Sequence, residues 1–204
     1  MSATIQRTKR RQQREETRGQ ILAAAQEFLL EHPYRDLSVD ALMTRTGHTR
    51  TVFYRHFDDV PSMMLTMIAE VGSELVDVSE AWRRSDRVGP EEARARLALY
   101  VDFYVRNGRV IRAVVEAAHH DGAVGQAYTG LVEVFIGLTT TAIEQRVASG
   151  DVAPVDAPEV ARALVWMLNG YLLDKLGGPV LGDPERILDT ASTIWTRALF
   201  PDAK

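Results

Sequence analysis

The chain contains no cysteine. Disulfides, thiolate metal ligands and a thiol nucleophile are therefore excluded, and a reducing compartment fits. No apolar run approaches the ~18 residues that a bilayer-crossing helix requires, so no membrane partner is expected. Residues 1–18 are polar and lack the apolar core of a secretory signal, so export is not expected and the cytoplasm is the expected location. Enzyme signatures are missing too: there is no HExxH, Walker-type phosphate loop, dinucleotide glycine fingerprint or nucleophile elbow. His119 and His120 are adjacent, so on a helix they point ~100° apart and make no chelating pair. Glu91 and Glu92 read as the acidic first turn of a helix. Neither catalysis nor a metal or organic cofactor is expected.

What the chain does have is helical periodicity and an uneven charge. Its 204 residues are 46% hydrophobic and 25% charged, enough apolar material for a real core. The net charge of −4 is an average. Residues 1–60 hold ten Lys/Arg against eight Asp/Glu, whereas 61–204 hold fourteen against twenty. A basic block, Arg7, Lys9, Arg10, Arg11, Arg14 and Arg18, opens the chain and reads as a solvated, flexible arm over 1–14. No segment alternates with period two. The fold class is all-α, with about nine helices: about 15–31, 39–46, one from Thr49 through Phe57, about 61–84, 91–107, 109–120, 124–150, 157–176 and 184–199. The polar stretch 84–90 reads as a loop.

Residues 39–57 form the sharpest pattern. Ser38 is a good N-cap, Gly47 a good C′ residue, and Thr49 caps a second helix directly. A short helix, a glycine turn and a second helix make the helix-turn-helix plan, in which the second helix enters the DNA major groove. By geometry alone a plain helical hairpin competes with this reading. Thr49, Arg50, Thr51, Tyr54, Arg55 and His56 supply hydrogen-bonding and cationic groups on that second helix. Arg50 and Thr51 lie in the first turn, the part that reaches base edges, and Tyr54 and Arg55 can reach phosphates on either flank. The basic arm upstream strengthens the nucleic-acid reading, because such arms track the backbone or minor groove.

The segments Thr17-Arg18…Ile21-Leu22-Ala23-Ala24-Ala25…Phe28, Tyr34…Leu37-Ser38-Val39…Leu42 and Gly47-His48-Thr49-Arg50-Thr51-Val52-Phe53-Tyr54-Arg55-His56-Phe57 resemble the N-terminal domain of TetR-family transcriptional repressors. The likeness covers roughly residues 15–65. Phe103-Tyr104 and Leu168-Asn169 look somewhat like the mycobacterial ethionamide-activation repressors. The resemblance implies a dimer that binds a palindromic operator in double-stranded DNA and leaves it when a small apolar or amphipathic organic molecule enters a C-terminal pocket. Carried over by position, Thr49, Arg50 and Thr51 fall where the family contacts bases and phosphates, and Tyr54 and His56 on its phosphate contacts; with Ser38 and Arg55 they make up the expected DNA-binding residues. Three departures stand out. Val52 replaces a common threonine, Val60 stands where many members carry lysine with Asp58 and Asp59 just before it, and Met43 replaces a small alanine. The first two remove phosphate contacts and put acid near the DNA, and the basic arm is expected to compensate.

The division expected is an arm (1–14), a DNA-binding unit (15–60) and a ligand-binding and dimerisation unit (61–204). Residues 161–173 hold ten hydrophobic residues in thirteen, so that helix must be covered on more than one side. With 184–199 it suits a two-fold four-helix homodimer interface formed by 157–176 and 184–199. The aromatic-rich middle, with Tyr100, Phe103, Tyr104, Tyr128, Phe135, Trp166 and Tyr171, reads as either plain core or pocket wall, and Phe103, Tyr104, Tyr128, Phe135 and Trp166 enter the candidate ligand set. Asn169 is the best polar candidate, as a ligand contact or as a satisfied structural amide, and Glu116 and His119 complete the candidate ligand set. The reading from another class is a helical small-molecule-binding protein with weak or lost specific DNA binding.

Overall fold

The computed structural model describes residues 2–83 and 89–200, with side chains over 6–76 and 89–200. Among them are eight α-helices, one 3-10 turn and no strand. The helices are α1 (Ser2–Glu31), α2 (Val39–Thr46), α3 (Arg50–Phe53), α4 (Val60–Arg83), α5 (Pro90–Ala118), α6 (Gly122–Ser149), α7 (Ala157–Leu176) and α8 (Pro184–Leu199), with the 3-10 turn Tyr34–Asp36 between α1 and α2. The all-α expectation holds. The loop expected at 84–90 lies, over 84–88, outside the described residues.

Three expectations need correction. The flexible arm is helical, because α1 runs back without a break to Ser2. Arginine, lysine, glutamine and glutamate are all good helix formers, and no proline or glycine interrupts 2–18. The second half of α1 is packed, through Ile21, Leu22, Ala25, Phe28 and Leu29, while residues 6–16 are exposed. The second helix of the 39–57 unit is shorter than expected: α3 ends at Phe53 and the chain tightens into turns closed by Arg55 N–H to Val52 O (3.2 Å) and His56 N–H to Phe53 O (2.9 Å). Residues 91–107 and 109–120 are not two helices but one, α5. Gly108 invited a break, yet its role is tertiary. A Cβ there would lie 2.5 Å from the Leu176 carbonyl oxygen, so the missing side chain is what lets α5 cross the end of α7.

Local rules account for most boundaries. The Ser38 hydroxyl accepts from Ala41 N–H at 3.2 Å, and Gly47 ends α2 at φ 69°. Asp121, Asp156 and Asp183 each accept from first-turn N–H groups to cap α6, α7 and α8. Asp59 does the same for α4, accepting from Ser62 N–H at 2.7 Å while the Ser62 hydroxyl accepts from Asp59 N–H at 3.1 Å. Asp59 is thus a helix cap rather than merely an acid beside DNA. The buried residues form one continuous apolar cluster from Ile21 to Leu199, and Met43 is part of it.

Candidate nucleic-acid interface and apolar cavity

α2 and α3 sit on the core through Leu42, Met43 and Phe53, which are 0, 3 and 0% exposed. That anchoring turns the other side of α3 outward. Thr49, Arg50, Thr51, Tyr54 and Arg55 are all exposed, and His56 is half-buried. Thr49 makes no capping bond with its own side chain, so its hydroxyl is not used to start α3. Ser38 commits its oxygen to the α2 cap and is exposed as well. Arg50 is held. Its Nη1 donates to both carboxylate oxygens of Asp40, at 3.1 and 2.9 Å, and its Nη2 faces the Tyr54 hydroxyl at 3.5 Å. The Tyr54 hydroxyl first, and the Asp40 carboxylate next, keep this guanidinium above its already high ordinary value.

Beside α3 runs the basic half of α1. Arg10, Arg14, Thr17, His48, Arg55 and His56 line a groove between them. Arg14 Nη2 donates to the Arg55 carbonyl at 3.3 Å, and the His48 ring meets Gln20 Oε1 at 3.0 Å. Arg18 turns inward instead, donating to the Thr66 hydroxyl at 3.2 Å with its guanidinium 5.5 Å from the Phe57 ring centre. Burial, then the charges of Arg14 and Arg18, push the His56 imidazole below its ordinary 6.5. His56 is therefore neutral at neutral pH and offers a phosphate a hydrogen bond rather than a charge.

The second feature is an apolar cavity enclosed by α4, α5, α6, α7 and α8. Ile68, Val71, Leu131, Val132, Leu168 and Leu172 form much of its wall, and Tyr100, Tyr104, Tyr128, Phe135, Thr139 and Asn169 also face it. Three of its polar groups are joined in a chain. The buried Tyr104 hydroxyl donates to Asn169 Oδ1, and Asn169 Nδ2 donates to the Tyr128 hydroxyl at 2.7 Å. Burial pushes the Tyr104 and Tyr128 hydroxyls up, so both stay protonated donors across the ordinary pH range. Since the Tyr128 oxygen already accepts from Asn169, its own proton remains to be offered elsewhere.

The eight residues expected as a ligand set divide evenly. Tyr104, Tyr128, Phe135 and Asn169 meet in the cavity. Phe103 is fully buried core, packed edge-on against Tyr104. Trp166 points away and is 41% exposed. Glu116 faces the 3-10 turn, accepting from Tyr34 N–H at 3.1 Å, and His119 bonds its own helix at Val115 O (2.6 Å). Adjacent helical residues differ by ~100° in direction, so aromatic character alone did not sort wall from core. Phase does. On α7 the lining residues are Val165, Leu168, Asn169 and Leu172, steps of three, one and three that exclude Trp166. Tyr100 and Thr139, which were not among the expected ligand contacts, follow from the same count.

Comparison with known proteins bears on both features. Residues 21–59 match the family described as bacterial regulatory proteins, tetR family, and residues 93–201, just over half of the chain, match the C-terminal domain of the transcriptional regulator EthR. The chain is 27% identical over 187 residues to the HTH-type transcriptional regulator EthR of Mycobacterium tuberculosis, covering 88% of this chain and 85% of that protein. In fold it is similar to Salmonella enterica GusR (TM-score 0.72, 18% identity, 90% of this chain and 95% of that one). It is also similar to the regulatory protein TetR of Rhodobacter sphaeroides (TM-score 0.70, 18% identity, 89% and 97%).

Proposed function

Because the chain belongs to the tetR family of bacterial regulatory proteins and carries an EthR-type C-terminal domain, we propose that it is a homodimeric repressor released from a palindromic operator by a small apolar or amphipathic molecule. The observation that carries the DNA half is the groove that gathers Arg10, Arg14, Arg55 and His56 beside the outward Arg50, Thr51 and Tyr54. In this reading residues 15–60 hold the reader, with Ser38, Thr49, Thr51, Tyr54, Arg55 and His56 supporting Arg50. The basic half of α1 adds phosphate contacts that offset Val52 and Val60.

Residues 61–204 form the responsive unit. The ligand is uncharged or weakly polar, because the cavity offers it apolar walls and one short chain of hydroxyl and amide groups without an unpaired charge. Dimerisation through 157–176 and 184–199 is supported by the apolar side chains that α7 and α8 turn outward, Trp166 and Ile194, each 41% exposed. A route from cavity to reader runs along α5. Tyr100, Tyr104, Ile111 and Val114 face the cavity. On the same helix, Arg109 donates to the Leu30 carbonyl at the end of α1 and to the Pro179 carbonyl (2.7 Å), and Glu116 holds Tyr34. A ligand that displaces α5 therefore displaces the groups that hold the end of α1.

The test is binding of the full-length protein to duplexes tiling the DNA upstream of its own gene, with random duplex as competitor. A palindromic site bound on the order of 10³-fold or more above random duplex is expected. If every duplex binds alike, the reading falls to that of a helical small-molecule-binding protein without specific DNA recognition.

A further inference from the structure

The ion pair between Asp40 and Arg50 is hard to explain as a stabilising device. Both side chains are largely exposed, 66 and 59%, and exposed pairs of this kind contribute little to folding. Nor is Asp40 needed to start α2, because Ser38 already caps it. What the pair does is geometric. One nitrogen of the guanidinium, Nη1, is given over to the carboxylate, and Nη2 has one long bond to the Tyr54 hydroxyl at 3.5 Å, which leaves Nε–H and the second Nη2 N–H for another partner. Two N–H groups on one guanidinium edge are what a guanine accepts at O6 and N7. A free arginine on this surface has a second option, a phosphate, which carries no sequence information.

We propose that Asp40 is the specificity-determining positioning residue of the reader, holding Arg50 with one edge presented to a base and away from the backbone phosphates. The inference rests on the reading of Arg50 as a base contact given above. It also explains why acid is kept on a DNA-facing surface. With Arg50 in place Asp40 is neutralised, and without Arg50 it repels phosphate. By keeping Arg50 off the phosphates, the carboxylate lowers affinity for every sequence that does not offer Arg50 a base contact.

The experiment begins with selection from randomised duplexes by the full-length protein, which supplies its preferred site. Single-base variants of that site are then titrated with wild type, Asp40→Asn, Asp40→Ala, Arg50→Ala and the Asp40→Ala/Arg50→Ala double variant, all checked for an unchanged thermal midpoint. Arg50→Ala is expected to erase the preference at one base pair, typically on the order of 10-fold or more. Asp40→Ala and Asp40→Asn are expected to lose most of the same preference at the same base pair, while binding to random duplex holds or strengthens. In the double variant Asp40→Ala adds no further loss of preference. Full discrimination in both Asp40 variants overturns the proposal, and so does an equal loss of affinity for all sequences. If Arg50→Ala leaves every base preference intact, the base-contact reading and the role of Asp40 fall together, an outcome distinct from failure of Asp40 alone.

Discussion

Two short chains of side-chain hydrogen bonds differ in their access to water. Asp40, Arg50 and Tyr54 are bonded in contact with water, whereas Tyr104, Asn169 and Tyr128 are bonded beneath α4–α8. Each uses a tyrosine hydroxyl and a planar group. Water decides what each is good for. A bond at the surface exchanges with solvent at small net cost, so it orients a side chain without committing stability, and a partner such as DNA can compete for it. At the buried Tyr104 end of the cavity chain there is no solvent to fall back on, so breaking the bond to Asn169 leaves a buried donor unsatisfied. The reader is built from replaceable bonds and the cavity from obligatory ones.

The largest effect expected is on the exposed side. Deleting residues 2–14 removes Arg7, Lys9, Arg10, Arg11 and Arg14, and the described residues among them, 6–14, are all exposed. Thermal stability is expected to hold, while the slope of log affinity against log salt flattens by about 0.9 for each phosphate that the protein no longer neutralises. Freeing three phosphates in this way would remove about 40-fold of the affinity change between ~50 and ~200 mM salt. An unchanged slope would show that the basic half of α1 stays off the DNA.

On the buried side, Asn169→Leu is expected to cost about 1–3 kcal/mol in denaturant unfolding, because the Tyr104 hydroxyl loses its acceptor. Adding Tyr104→Phe should recover most of that, since the buried donor is then removed and only the half-buried Tyr128 hydroxyl is left without its partner. Asp40→Ala is expected to change stability by less than about 1 kcal/mol. Equal costs for Asn169→Leu and Asp40→Ala would erase the contrast between the two chains.

The smallest effect sits between the extremes, at half-buried His56. Its folded value lies below the ordinary 6.5. Its contribution to stability is thus fully present above 6.5 and is lost as pH falls from there through the lowered folded value. A phosphate would counter Arg14 and Arg18 and raise that value, so DNA binding takes up a proton and tightens as pH falls through the same window. His56→Gln should flatten both dependences, in pH-dependent melts and in anisotropy titrations. A wild-type affinity that weakens toward acid would place His56 away from phosphate.

Much of this was legible in the chain because the signals were local. Ser38, Gly47 and the aspartates before α6, α7 and α8 act on N–H and C=O groups within a few residues, so boundaries at 39, 46, 157 and 184 could be read directly. Gly108 misled because its reason is the Leu176 carbonyl, sixty-eight residues away, which no local rule sees. α1 outran its expected start because helix propensity continues the helix through exposed residues such as 6–14. For the DNA face, side-chain chemistry pointed to the outward residues, yet nothing in the spacing of Asp40 and Arg50 announced their pairing. For the cavity, residue type found Tyr104, Tyr128, Phe135 and Asn169 but also Trp166, whose helical phase is wrong.

One feature of α1 carries a mechanical consequence. It is a single straight-through helix from Ser2 to Glu31, gripped near its C-terminus by Arg109 and carrying its free cations at the other end. At ~1.5 Å of rise per residue, Arg7 lies about 35 Å from Leu30 along the axis. A tilt of about 10° at the gripped end would sweep Arg7 through about 6 Å, close to the spacing of successive phosphates along a DNA strand. A rod of this length multiplies a small rotation into a whole-phosphate change of register, with no need for the reader itself to deform.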